Sequence, residues 1–106
     1  ETTFRVSVPV VEMSPTRAKP TSRVTYTATG IDTTGTVYLH VVRGGRALRT
    51  VKLGRPETPC APVVARIPQV PLGGRVAKGR YRLQFDTSAS YRASARPAVV
   101  RTRVVS

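Results

Sequence analysis

The sequence predicts an all-β domain, a sandwich or barrel of about seven short antiparallel strands. Valine is the commonest apolar residue and threonine is close behind it, and both stiffen the backbone toward extended conformations. No window carries apolar residues at helical spacing for more than a turn, so no helix is expected. Short segments alternate apolar and polar residues instead, each bounded by glycine, proline or polar clusters.

A length of 106 residues is that of one domain, expected to span 1–106. A chain this long buries roughly 65% of its unfolded surface, enough for an independent core. With 40% apolar residues it is no disordered tail, despite nine prolines and eight glycines.

Seven strands are expected: Thr3 to Met13 with a break at Pro9, Arg23 to Thr29, Thr36 to Arg43, Arg46 to Leu53, Val63 to Ile67, Arg80 to Thr87 and Ala98 to Val105. The third and fourth join around Gly44 and Gly45, two residues able to take the positive φ of a tight hairpin. Counting outward from that turn sets Arg43 opposite Arg46, Val42 opposite Ala47, Val41 opposite Leu48, His40 opposite Arg49 and Tyr38 opposite Val51. Val37, Leu39, Val41 and Leu48 then face the core, and Tyr38, His40, Arg49 and Val51 face solvent. By the same alternation Val24, Tyr26 and Ala28 point inward, as do Tyr81, Leu83 and Phe85. In the last strand Val100, Thr102 and Val104 are expected inside, with Arg101 and Arg103 outside. The proline-rich stretch Arg55 to Pro62 reads as a loop at the rim.

Catalysis needs positioned titratable groups, and the supply is thin. His40 is the one histidine, and Glu1, Glu12, Asp32, Glu57 and Asp86 are scattered at spacings that suggest no pair. No nucleophile elbow, paired-histidine zinc motif or phosphate-cradling glycine loop occurs, so the chain is not expected to be an enzyme or to hold a cofactor. Asp32 and Asp86 are the only carboxylates that could meet across a loop, but Asp32 reads better as turn chemistry before Gly35. Cys60 is the single cysteine, which excludes an internal disulfide and reads as a small buried residue.

The order VTYTATG, TGTVYLHVVRGGRALRTVKL, VAKGRYRLQF and ASYRASARPAVVRTRVV resembles the bacterial immunoglobulin-like domains of secreted and surface proteins, especially the type 3 group. That group carries a VTLTATV-like strand, a TGTVTF-like strand, a GTHTITATY-like strand and a NYAPSTSAPVTVTV-like finish, the last matching Tyr91, Ala93, Ser94, Pro97 and Ala98. The resemblance spans about residues 20 to 105 and implies an immunoglobulin-like Greek-key β-sandwich. It further implies a non-catalytic spacer, adhesion or interaction module that works outside the membrane, secreted or at the cell surface. Tyr81, two residues after Gly79, looks like the tyrosine corner of such folds. The opening ETTFRVSV lacks the basic start and apolar segment of a signal peptide, as expected of a mature or excised piece. No apolar run is long enough to span a membrane as a helix, and a monomer is expected.

The formal net charge is +13, from 18 basic and 5 acidic residues. A field of that sign attracts polyanions without specifying one. In the immunoglobulin-like strand order, the third, sixth and seventh strands lie side by side. Arg80, Arg82, Arg101 and Arg103 would then share an outer face with Tyr38 and His40, and Arg49 would join them across the hairpin. Such a patch fits three readings. It could contact an anionic cell-wall polymer or glycan, as an accessory module of a secreted enzyme would; it could meet an acidic neighbouring domain; or it could keep a β-rich surface soluble. No specific nucleic-acid partner is expected.

Overall fold

The computed structural model describes residues 9–31, 35–58, 61–95 and 98–105. Within them lie β1 (Val10–Ser14), β2 (Arg23–Thr29), β3 (Val37–Arg43), β4 (Arg46–Gly54), β5 (Val63–Pro68), β6 (Gly79–Asp86) and β7 (Val99–Val105). They form two antiparallel sheets, ordered β1-β2-β5 and β4-β3-β6-β7, so the chain is an all-β, two-sheet sandwich. Strands β2 to β7 begin and end within one residue of the bounds expected from alternation. The expected first half of strand one, the Asp32 turn and Cys60 lie outside the described residues.

The core forms where the two sheets face each other. Val24, Tyr26 and Ala28 of β2 meet Val37, Leu39 and Val41 of β3 and Tyr81, Leu83 and Phe85 of β6, all buried. Tyr26 and Phe85 pack ring to ring at 5.3 Å and 55°. Tyr81 Oη donates to the Ala77 carbonyl at 2.7 Å, the tie to nearby backbone expected of a tyrosine corner. Arg43 lies over the same ring, 5.4 Å from its centroid, and its guanidinium also donates to the Lys78 carbonyl.

Two registers differ from expectation. Gly44 and Gly45 take φ of 59° and 76°, and the turn pairs Arg43 with Arg46 and Val42 with Ala47 as counted. The next pair is Val41 with Arg49, because Leu48 is extruded as a bulge. One extra residue reverses the faces of everything after it. Leu48 is 47% exposed instead of buried, Val51 packs against the core instead of facing solvent, and the Arg49 guanidinium lies on the inner side against Gly73.

In β7 the alternation runs in the opposite phase to the one expected. Val99 pairs with Phe85, Arg101 with Leu83, Arg103 with Tyr81 and Val105 with Gly79, so these four share the inner face. Val100 and Val104 are 42% and 51% exposed. The opposing strand, β1, has five residues, and across from it the sandwich gap opens to solvent. Long arginine stems can cover apolar surface there while their heads reach water and carbonyl groups.

Strand directions give the domain two poles. β1 starts where β2 ends, since Val10 pairs with Thr29, and β7 ends where β6 starts, since Val105 pairs with Gly79. β2 and β6 run the same way: Gln69, bonded to Ser22 at the start of β2, also holds Arg103, the partner of Tyr81 near the start of β6, while Tyr26 further along β2 meets Phe85 further along β6. Val10 and Val105 therefore stand at opposite ends of the sandwich.

Candidate functional site

The outer face of the four-stranded sheet does not hold the expected cluster of five arginines. Arg80 and Arg82 are exposed on it, beside the outward Val100, Thr102 and Val104. Arg49, Arg101 and Arg103 are on the inner side, for the register reasons given above. Tyr38 is half-buried next to Lys52 and Asp86, and His40 is wholly buried, correcting its expected exposure.

His40 is buried because the segment after β6 turns back over this face. The ring of Tyr91 packs 5.7 Å from that of His40. Ser88 and Arg92 supply backbone carbonyls to the same spot. Beneath them the side chains close a circuit. His40 Nε2 lies 2.9 Å from both Asp86 Oδ1 and the Ser88 carbonyl. Both are acceptors, so Nε2 carries the hydrogen and donates. His40 Nδ1 meets the Thr50 hydroxyl at 2.7 Å. Gln84 Nε2 donates to Asp86 Oδ2 at 2.7 Å and to the Arg92 carbonyl at 2.9 Å, and the Ser88 backbone N–H donates to Asp86 Oδ1.

Hydroxyl, imidazole and carboxylate in sequence is the order of a nucleophilic relay. Here the imidazole is wholly buried and its proton is shared with a backbone carbonyl. The circuit ties a loop to a sheet. Among the described residues no buried side-chain nitrogen or oxygen lacks a hydrogen-bond partner, and no three metal-ligating side chains converge.

The second place is a cleft of about 470 Å³ at the open edge between β1 and β7. Met13, Tyr26 and Leu83 form its apolar wall, and Arg17, Arg101 and Arg103 bring three cations. Arg103 Nε donates to Gln69 Oε1 at 2.8 Å, and a terminal nitrogen donates to the Ala18 carbonyl at 3.3 Å. Arg101 donates to the Val11 carbonyl of the opposite sheet. Tyr26 Oη donates to the Gln69 carbonyl at 2.6 Å. Among the described residues no carboxylate lines this cleft. Glu12 lines a smaller depression alongside, with Met13, Thr16 and Arg101.

Comparison with family models, curated proteins and solved structures gives no match for this chain.

Burial pushes the Tyr26 hydroxyl up to about 12, against the opposing pull of the Arg101 and Arg103 charges. A phenol whose folded value lies above its unfolded one near 10 contributes stability that is complete below pH 10 and is lost as pH rises through 12. Unfolding free energies from denaturant titration between pH 9 and 12 should therefore fall more steeply for the native chain than for Tyr26→Phe, by about 2 to 3 kcal/mol across the range. Parallel curves would show that Tyr26 does not titrate in this way.

Sequence reasoning put Gln84 beside His40 on the outer face but missed Asp86 and Thr50 as the side-chain partners of His40, and Arg17 and Gln69 as companions of Arg101 and Arg103. One signal was present. Gln84 and Asp86 share a strand face, and TSASYRASAR is rich in small residues that can lie flat on a sheet.

Proposed function

We propose that the chain is a non-catalytic, immunoglobulin-like module that works outside the membrane as a spacer or interaction unit. The observation that carries this is polarity: the first described strand begins at one end of the sandwich and the last finishes at the other. Modules of that kind join end to end without folding back on each other. The strand order supports the same reading, with β4 beside β3 and the sheets packed on a core of alternating residues. The buried polar groups are engaged in holding the fold, which leaves the surface to meet partners.

Two and three copies joined in tandem should scatter X-rays as a lengthening rod. Each added copy should extend the maximum dimension by an increment close to the 52 Å long axis of the domain. Compact particles, in which added copies thicken the particle without lengthening it, would overturn the reading.

A further inference from the structure

The cleft between β1 and β7 has features that a structural edge does not need. We infer that it is a binding site for a carboxylate-bearing sugar unit of an acidic polysaccharide. This rests on the interaction half of the function proposed above and adds a site and a ligand class.

Charge comes first. Arg101 and Arg103 reach carbonyl groups and form no ion pair among the described residues, and Arg17 has neither ion pair nor hydrogen bond among them. Three cations thus surround a concave space whose described lining holds no carboxylate, Glu12 facing the smaller depression on the other side of Met13 and Arg101. Guanidinium groups hold more N–H donors than Arg101 and Arg17 use within the fold, and their planar fork matches a carboxylate.

Shape and polarity narrow the ligand. A volume of about 470 Å³ is within the range of small-molecule clefts and admits a sugar-sized unit. Half-buried Met13 offers an apolar surface for the C–H face of a ring and exposed Thr16 a hydroxyl for its hydroxyls, while Leu83 and Gln69 form the buried floor behind them. Nucleic acid is disfavoured because stacking needs an exposed ring, and Tyr26 is 1% exposed with its hydroxyl committed to Gln69. A long acidic chain can cross the cleft because it opens along the β7 edge.

The test is calorimetric titration of the whole chain with tetragalacturonate, with a heparin tetrasaccharide, maltotetraose and a short DNA strand as comparison ligands. Saturable binding of tetragalacturonate is expected, weakening with salt, with maltotetraose silent and DNA weaker. Binding of heparin alone would assign the site to sulfate and overturn the carboxylate. Two variants separate the cleft from the bulk charge, since Arg17→Gln/Arg101→Gln and Arg80→Gln/Arg82→Gln each remove two charges. The first should weaken binding by about tenfold or more, as expected for lost charge-assisted contacts, and the second by less than about twofold. Equal weakening, or no binding by any acidic ligand, would overturn the inference. Arg17→Gln alone, which removes no contact of the fold, guards against a loss caused by misfolding. The tandem scattering result does not depend on any ligand, so failure here and failure of the module reading are distinguishable.

Discussion

Asp86→Ala should destabilise the domain by about 3 to 5 kcal/mol, because it strips one partner from a buried pair and orphans the others. Asp86 is 1% exposed and accepts from His40, Gln84 and the Ser88 backbone. Alanine leaves the Ser88 backbone N–H without its acceptor, the Gln84 amide with only the Arg92 carbonyl, and His40 Nε2 with only the Ser88 carbonyl. A domain of this size has about 5 to 15 kcal/mol in total, so the loss is a large fraction of it. Urea denaturation would measure it, and a cycle with His40→Ala would separate pair from parts. The double variant should lose well under the sum of the single losses, since both act through one circuit. Additive losses would show that His40 and Asp86 contribute independently.

Phe85→Ala should cost a similar amount, about 3 to 5 kcal/mol, for a different reason. Phe85 is fully buried, flanked in register by Leu39 and Val99 and tilted against the Tyr26 ring. Removing its ring leaves a void beside Tyr26, whose opposite surroundings are the cationic cleft. Phe85→Leu, which refills most of the volume, should recover much of the loss. The same denaturation series decides it: a loss near 1 kcal/mol for alanine would mean the two sheets close over the gap.

The strands were legible because valine and threonine alternate between clear breakers, and the double glycine announced its hairpin. Which face each strand turns inward was less so. In VVRTRVV both phases contain two valines, Val99 with Val105 and Val100 with Val104, so alternation alone does not choose between them. The choice comes from pairing with β6 and from an open edge where arginine stems can lie across apolar surface. The Leu48 bulge leaves no mark either, since RALRT alternates acceptably in both registers and contains no glycine. His40 was misread because its cover is a loop that starts nearly fifty residues further along the chain, at Ser88. Local periodicity carries no information about such a cover. The expected patch of arginines failed through these register choices, and the cleft that replaced it depends on two strands from different sheets.

The opposed poles of the sandwich have a mechanical consequence. Tension applied through Val10 and Val105 runs along β1 and β7, parallel to the strands and across their hydrogen bonds. The five pairs joining β1 to β2 and the seven joining β6 to β7 are then loaded together in shear, and none can be peeled off singly. The Arg101 contact with Val11 ties the two loaded strands to each other across the gap between sheets. A chain of such units would resist stretching up to a sharp yield force, as a tether under load must.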